Sequence, residues 1–174
     1  ASGCVETGAF GTEAYWLTGY FNIPKVLELA LNNGFDKRTN TQVGLKTGYA
    51  KDYSTFEELM ESFRVQLNYL TDIKIKGNNI IEKTFSTWLP APFLSLLVED
   101  CIKNGRDYNS GGARYNTTYI QGVGLGSISD ILSSIRYNIY DKKRFTWDEL
   151  NRATDADFKG FEKIQHALIY ETPK

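Results

Sequence analysis

Apolar residues return at helical spacing through most of the chain, and few stretches alternate as strands do. The first helical stripe is Val26, Leu27, Ala30 and Leu31. It follows Asn22-Ile23-Pro24, whose proline falls in the first turn, where a missing N–H costs nothing. Asn33-Gly34 ends that helix. Ser54-Thr55-Phe56-Glu57 reads as a capping box, in which hydroxyl and carboxylate satisfy each other's free backbone donors. The helix it opens carries Phe56, Leu59, Met60, Phe63, Leu67 and Leu70 on one face and extends towards Phe85, with Gly77 as the place for a break. After Pro90 and Pro92 a helix is expected from about Pro92 to Asn104, stopped by Gly105. Residues 117–121 have strand character, and Ser127 is placed to cap a helix running to about Asn138. Thr146-Trp147-Asp148-Glu149 is a second capping box. A final amphipathic helix is expected from Ala156 to Tyr170, with Phe158, Phe161, Ile164, Ala167 and Leu168 on one face and His166 beside them. Residues 35–53 are polar and contain glycine, which predicts an irregular connection or a short hairpin.

This is a helix-rich α/β pattern, ordered as a parallel arrangement would be, with too few strands to close a sheet or a barrel. The chain therefore reads as part of a fold. Composition narrows the classes: of 174 residues 41% are apolar and 14% aromatic, which suits a packed interior or a lined pocket rather than a tail. The net charge of −1 comes from mixed signs with no basic stripe, which argues against nucleic acid. No apolar run is long enough to span a membrane, and the start lacks the layout of a secretory signal. The two cysteines, Cys4 and Cys101, lie far apart, a pattern that fits a reducing, intracellular setting. With His166 as the single histidine and no Cys/His cluster, no metal site is expected within the chain.

The candidate chemistry lies at the beginning, in Gly3-Cys4-Val5-Glu6-Thr7-Gly8-Ala9-Phe10-Gly11. In an extended segment residues i and i+2 point to the same side, so Cys4 and Glu6 can face one bound molecule with their Cβ atoms roughly 6.5 Å apart. A reactive thiol beside a carboxylate that moves protons makes a plausible reaction centre. Next comes Glu13-Ala14-Tyr15-Trp16-Leu17-Thr18-Gly19-Tyr20-Phe21, an aromatic run whose Tyr15, Trp16 and Tyr20 read as substrate contacts or as core. Cys101, among Leu97, Val98 and Ile102, reads as a buried structural thiol. Gly122-Val123-Gly124-Leu125-Gly126 between a strand and a helix looks superficially like a phosphate-cradling loop, but its third glycine is misplaced and no Lys-Ser/Thr follows. A closely packed strand-to-helix turn is the better reading.

Several of these segments together resemble one family. Gly3-Cys4-Val5-Glu6, Thr18-Gly19-Tyr20-Phe21-Asn22, Leu31-Asn32-Asn33-Gly34, Gly111-Gly112-Ala113-Arg114-Tyr115-Asn116 and Gln121-Gly122-Val123-Gly124 occur in this order in the glycyl radical enzymes, the pyruvate formate-lyase-like family. The resemblance covers essentially all 174 residues. Within the family, Cys4-Val5-Glu6-Thr7-Gly8 with Glu13-Ala14-Tyr15 is most similar to members that dehydrate trans-4-hydroxy-L-proline to pyrroline-5-carboxylate. The single cysteine after Gly3 departs from pyruvate formate-lyase itself, which uses two adjacent cysteines.

The resemblance implies that residues 1–174 are an internal part of the catalytic barrel domain, a ten-stranded (β/α) barrel in which the cysteine sits on a loop reaching the centre. It implies Cys4 as the thiyl residue, Glu6 as acid or base, and Tyr20 as a substrate-binding residue. It further implies a glycyl radical elsewhere in the full chain, installed by a separate S-adenosylmethionine enzyme with a 4Fe–4S cluster, and no cofactor bound in this segment. The partners it implies are the rest of the same chain, that activating enzyme, a small-molecule substrate and a second copy in a homodimer, in the cytoplasm of an anaerobic metabolism. The family's Arg-Val-x-Gly radical loop is not found here, since Arg64-Val65 continues as Gln66-Leu67. Taken alone, these residues are expected to be inactive. The competing expectations are another lyase of the family, acting on glycerol, a diol, choline or an arylacetate, and a non-catalytic structural fragment.

Overall fold

The structure, a computed structural model, describes residues 8–173. The chain divides into two compact units, one of Ala1–Phe21 with Asp72–Gln121 and one of Asn22–Thr71 with Gly122–Lys174. Among the described residues the strands form two two-stranded sheets, β1 (Glu13–Asn22) with β4 (Tyr115–Val123) and β2 (Phe35–Asp36) with β3 (Thr41–Gln42). The second pair is antiparallel, as a hairpin between residues 35 and 53 requires. No helix among the described residues is long and apolar enough to cross a membrane.

In the second unit the local signals act as expected at α1 (Ile23–Leu31). The Asn22 side chain accepts a hydrogen bond from the Lys25 N–H at 3.2 Å, and Pro24 lies in the first turn. Val26, Leu27, Leu29 and Ala30 are buried. The polar stretch after it does form a short hairpin, with Phe35 facing Gln42 and Asp36 facing Thr41. Asp36, only 6% exposed, is held by Lys25 Nζ at 2.5 Å, the Thr39 hydroxyl at 2.8 Å and the Arg38 N–H at 3.0 Å.

The long helix α2 (Phe56–Trp88) is shared between the units and runs through Gly77 without a break. One glycine costs a helix interior only about 1 kcal/mol, too little to stop a helix of this length. Its capping box sits one residue later than the Ser54/Glu57 reading. The Thr55 hydroxyl accepts the Glu58 N–H at 3.2 Å, while Glu58 Oε2 accepts the Ser54 N–H at 2.7 Å and the Thr55 N–H at 3.4 Å. Neighbouring hydroxyls and neighbouring glutamates allow either register, and the start at Phe56 selects the later one. Arg64-Val65 lies inside this helix, followed by Gln66, whose buried amide binds both the N–H and the C=O of Leu45 at 3.0 and 2.5 Å.

Helix α5 (Leu125–Ile135) is capped by Gly124 at φ 86°, not by Ser127. A Cβ at Gly124 would stand 2.5 Å from Pro24 Cδ, so this is the closely packed strand-to-helix turn the sequence suggested. The helix passes at Arg136 into a π-helical turn, Arg136–Asp141, in which buried Asn138 donates to the Ser134 carbonyl at 3.0 Å and the Thr172 hydroxyl at 2.8 Å. The second capping box forms as read and opens α6 (Trp147–Asp155). The last helix, α7 (Glu162–Tyr170), is shorter than expected, because the chain turns through positive φ at Asp157, Phe158 and Gly160.

In the first unit the helix expected from Pro92 to Asn104 is two helices, α3 (Pro92–Leu97) and α4 (Cys101–Asn104). The break has an external cause. The Glu99 N–H donates to the Gly11 carbonyl at 2.7 Å rather than to its own helix, and Asp100, at φ 72°, is held by Arg114 Nε at 3.1 Å. Cys101 is 1% exposed and packs with Ala14 and Ala113, flanked by Val98 and Tyr108. It is a free thiol, and burial pushes its pKa up, with the nearby Asp107 and Asp100 carboxylates adding to the effect.

Candidate active site

Cys4 and Glu6 lie outside the described residues. What the structure shows is the stalk that follows them in sequence, Gly8–Thr12, and the elements of the first unit that grip it. The Ala9 carbonyl accepts three bonds: from the Thr12 N–H at 3.1 Å, the Glu13 N–H at 3.1 Å and the Thr12 hydroxyl at 3.0 Å. The Ala9 N–H donates to Glu13 Oε2 at 2.7 Å. The Gly11 carbonyl accepts from Glu99, and the Thr12 carbonyl accepts the Tyr115 N–H at 3.1 Å. Every one of these is a backbone group of the stalk satisfied by the stalk itself, by the adjoining Glu13 or by an element distant in sequence.

Glu13, the first residue of β1, has both carboxylate oxygens in use. Oε2 takes the Ala9 N–H, and Oε1 takes the Tyr119 hydroxyl at 2.9 Å together with the Thr117 hydroxyl. The Thr117 bond, then those from Ala9 and Tyr119, holds its carboxyl below the ordinary carboxylate value against a smaller cost of burial. Tyr15 stacks on Tyr119 with ring centroids 4.4 Å apart, and the Tyr15 N–H donates to the Tyr108 hydroxyl at 2.8 Å. Trp16 meets the edge of Phe85 at 5.0 Å. Of the three aromatics weighed as substrate contacts or core, Tyr15 and Trp16 are thus packed, while Tyr20 is 64% exposed.

The segment Gly111–Asn116 supplies the other side of the grip. Arg114 bridges Glu99 Oε2 at 2.7 Å and Asp100 Oδ2 at 3.1 Å, and thereby fixes the break whose N–H holds Gly11. Asp107 anchors the segment: its carboxylate accepts the Ala91 N–H, the Ser95 hydroxyl and the Asn109 N–H, each at 2.8 Å. Burial opposes ionisation of Asp107, but these bonds outweigh it and keep its carboxyl below the usual range. Neither Glu13 nor Asp107 stood out in the sequence as a functional residue. The only signal was nearness to segments that carry the resemblance: Glu13 begins Glu13-Ala14-Tyr15, and Asp107 lies four residues before Gly111. Among the described residues no group of three or more His, Cys, Asp or Glu side chains is arranged to hold a metal ion.

Comparison with known proteins adds four findings. The family model described as pyruvate formate lyase-like matches residues 1–174. The chain is 54% identical over 173 residues to a trans-4-hydroxy-L-proline dehydratase of Clostridioides difficile, covering 99% of this chain and 22% of that protein. It superposes with a TM-score of 0.94 on the crystal structure of hydroxyproline dehydratase from that organism with trans-4-hydroxy-L-proline bound, again over 99% of this chain and 22% of the other. It superposes with a TM-score of 0.82, at 34% identity, on a glycyl radical enzyme from Archaeoglobus fulgidus, over 99% and 22% of the two chains. The chain therefore spans about a fifth of the length of the relatives it matches.

Proposed function

Since the chain belongs to the pyruvate formate lyase-like family and has the fold of a helix-rich α/β segment of a glycyl-radical-enzyme barrel, we propose that it carries the thiyl cysteine of a dehydratase acting on trans-4-hydroxy-L-proline. Residues 1–174 then form an internal part of the catalytic domain. The observation that carries this reading is the likeness to a hydroxyproline dehydratase, 54% identical across nearly the whole segment.

In this reading a glycyl radical on another part of the full chain, installed by a radical S-adenosylmethionine enzyme, supplies the unpaired electron when present. Arg64-Val65 sits within α2, so the radical glycine is not assigned to these residues. The Cys4 sulfur, having given up its hydrogen atom, takes one from a substrate C–H next to the carbon bearing the hydroxyl. Glu6 moves the proton that lets the hydroxyl leave as water, the work of a positioned carboxylate. Cys4 then returns a hydrogen atom to the product, so the sum is loss of one water with no net oxidation, giving pyrroline-5-carboxylate. Tyr20 contacts the substrate. The working enzyme is a homodimer of the anaerobic cytoplasm.

The test is anaerobic turnover by the full-length enzyme after activation. Dehydration of trans-4-hydroxy-L-proline is expected, with loss of activity in Cys4→Ala and Glu6→Gln while the radical signal persists. If hydroxyproline is untouched and glycerol or a diol is consumed, the substrate assignment is wrong and the chain belongs to another lyase of the family. If Cys4→Ala turns over normally, the mechanism is wrong.

A further inference from the structure

We propose that Glu13 is a positioning residue for the reactive loop, its carboxylate tying the Ala9 N–H to the Thr117 and Tyr119 hydroxyls of β4 and so setting the direction in which the backbone leaves towards Glu6 and Cys4. This rests on the reading that Cys4 and Glu6 carry the chemistry. Ala9 follows Glu6 by three residues and Cys4 by five. Both of its backbone polar groups are held, its carbonyl by Thr12 and Glu13 backbone N–H groups and its N–H by the Glu13 side chain. The first of these grips is an ordinary turn. The second is a charge-assisted bond to a carboxylate anchored on a neighbouring strand, and bonds of that kind are about twice as strong as neutral ones.

Gly8 shows how closely the backbone passes this carboxylate. A Cβ there would stand 3.2 Å from Glu13 Oε2 and 3.9 Å from the Tyr15 ring. Glu13 keeps its charge because its three donors favour the ionised form. Closeness in sequence sets the size of the effect: Ala9 is three residues from Glu6 and five from Cys4, and misplacement of a reacting group by about 1 Å is enough to cost a reaction 100-fold.

The experiment uses the full-length enzyme, with Glu13→Gln and, as a second variant that leaves the carboxylate in place, Tyr119→Phe. For Glu13→Gln we expect kcat to fall about 10–100-fold with KM within about threefold of the parent, and a smaller fall in the same pattern for Tyr119→Phe. Glycyl radical yield by electron paramagnetic resonance and melting temperature should match the parent. In the unactivated enzyme, alkylation of Cys4 by iodoacetamide, read by mass spectrometry, should change rate by about fivefold or more, while Cys101, 1% exposed, stays unmodified. The proposal is overturned if kcat and Cys4 alkylation both stay near the parent's, or if activity falls only together with melting temperature and radical yield. Should the parent leave hydroxyproline untouched, the functional reading fails, and the alkylation rates, which need no substrate, still decide the role of Glu13.

Discussion

Replacing Gly112 by alanine tests the grip on the Gly8–Thr12 stalk at the point where the backbone is most crowded. A Cβ on Gly112 would stand 2.0 Å from the Arg106 carbonyl oxygen, 2.8 Å from its carbon and 3.0 Å from the Asp107 carbonyl oxygen. All three are backbone atoms, so no side chain can swing aside. To restore ordinary contact the two segments must part by more than about 1 Å, which overpacked sites resist at about 1–3 kcal/mol. Gly112 is also held on both sides, its N–H donating to the Asp107 carbonyl at 3.0 Å and its carbonyl accepting from Asn104 Nδ2 at 3.0 Å. Parting the segments loses at least one of these bonds, worth about 1 kcal/mol. A total of about 2–4 kcal/mol corresponds to local opening some 30- to 1000-fold more frequent, at about 1.4 kcal/mol for each factor of ten.

Hydrogen exchange of the full-length enzyme, followed by mass spectrometry on peptides covering residues 101–116, reads this opening directly. Gly112→Ala should accelerate exchange across that span by at least about 30-fold and leave the hairpin of β2 and β3 unchanged. Acceleration below about threefold would refute the reasoning, since it would mean that Arg106 and Asp107 yield without losing their bonds.

Gly77 offers the opposite sign: a Cβ there meets nothing within 4 Å, so Gly77→Ala should stabilise α2 by about 0.5–1 kcal/mol and slow exchange of its central amides. Asp36 should make the hairpin acid-sensitive. The Lys25 bond, followed by that from Thr39, lowers its pKa from 3.8 to about 2, so its contribution is complete above the unfolded value and is lost as pH falls towards 2. Melting curves between pH 5 and 2.5 should therefore fall more steeply for the parent than for Asp36→Asn, and equal slopes would remove Asp36 as the cause. Cys101→Ala should keep turnover, whereas Cys101→Ser, which buries a hydroxyl among Ala14, Ala113 and Val98, should cost about 1–3 kcal/mol by thermal melting. Loss of turnover in Cys101→Ala at unchanged stability would contradict its structural role.

Legibility in the sequence followed how local each cause was. Helices α1 and α6 were readable because their start signals, Asn22 with Pro24 and Thr146 with Glu149, act within one turn. The end of α2 was less so, because its apolar stripe fades after Leu70 while the helix continues to Trp88. The division of α3 from α4 could not be read at all, since it depends on the Gly11 carbonyl and on Arg114, neither of them near in sequence to both sides of the break. The same holds within the site. The spacing of Cys4 and Glu6 suggests a thiol and a carboxylate with one target, a reading that lies outside the described residues, and Glu13 reveals nothing by itself. Its partners, Thr117 and Tyr119, lie 104 and 106 residues further on.

The residues around the stalk divide by role: Cys4 and Glu6 are proposed as the chemical groups, whereas Gly112, Arg114 and Asp107 hold the framework. Arg114 holds Glu99 and Asp100, the Glu99 N–H holds Gly11, and Asp107 fixes the turn from which Arg114 projects. Apolar packing tolerates sliding of side chains past one another, while a hydrogen bond weakens steeply once its angle or distance departs from a narrow range. A stalk held through Ala9, Gly11 and Thr12 by directional bonds is fixed in orientation as well as in place, which is what the role proposed for Cys4 requires.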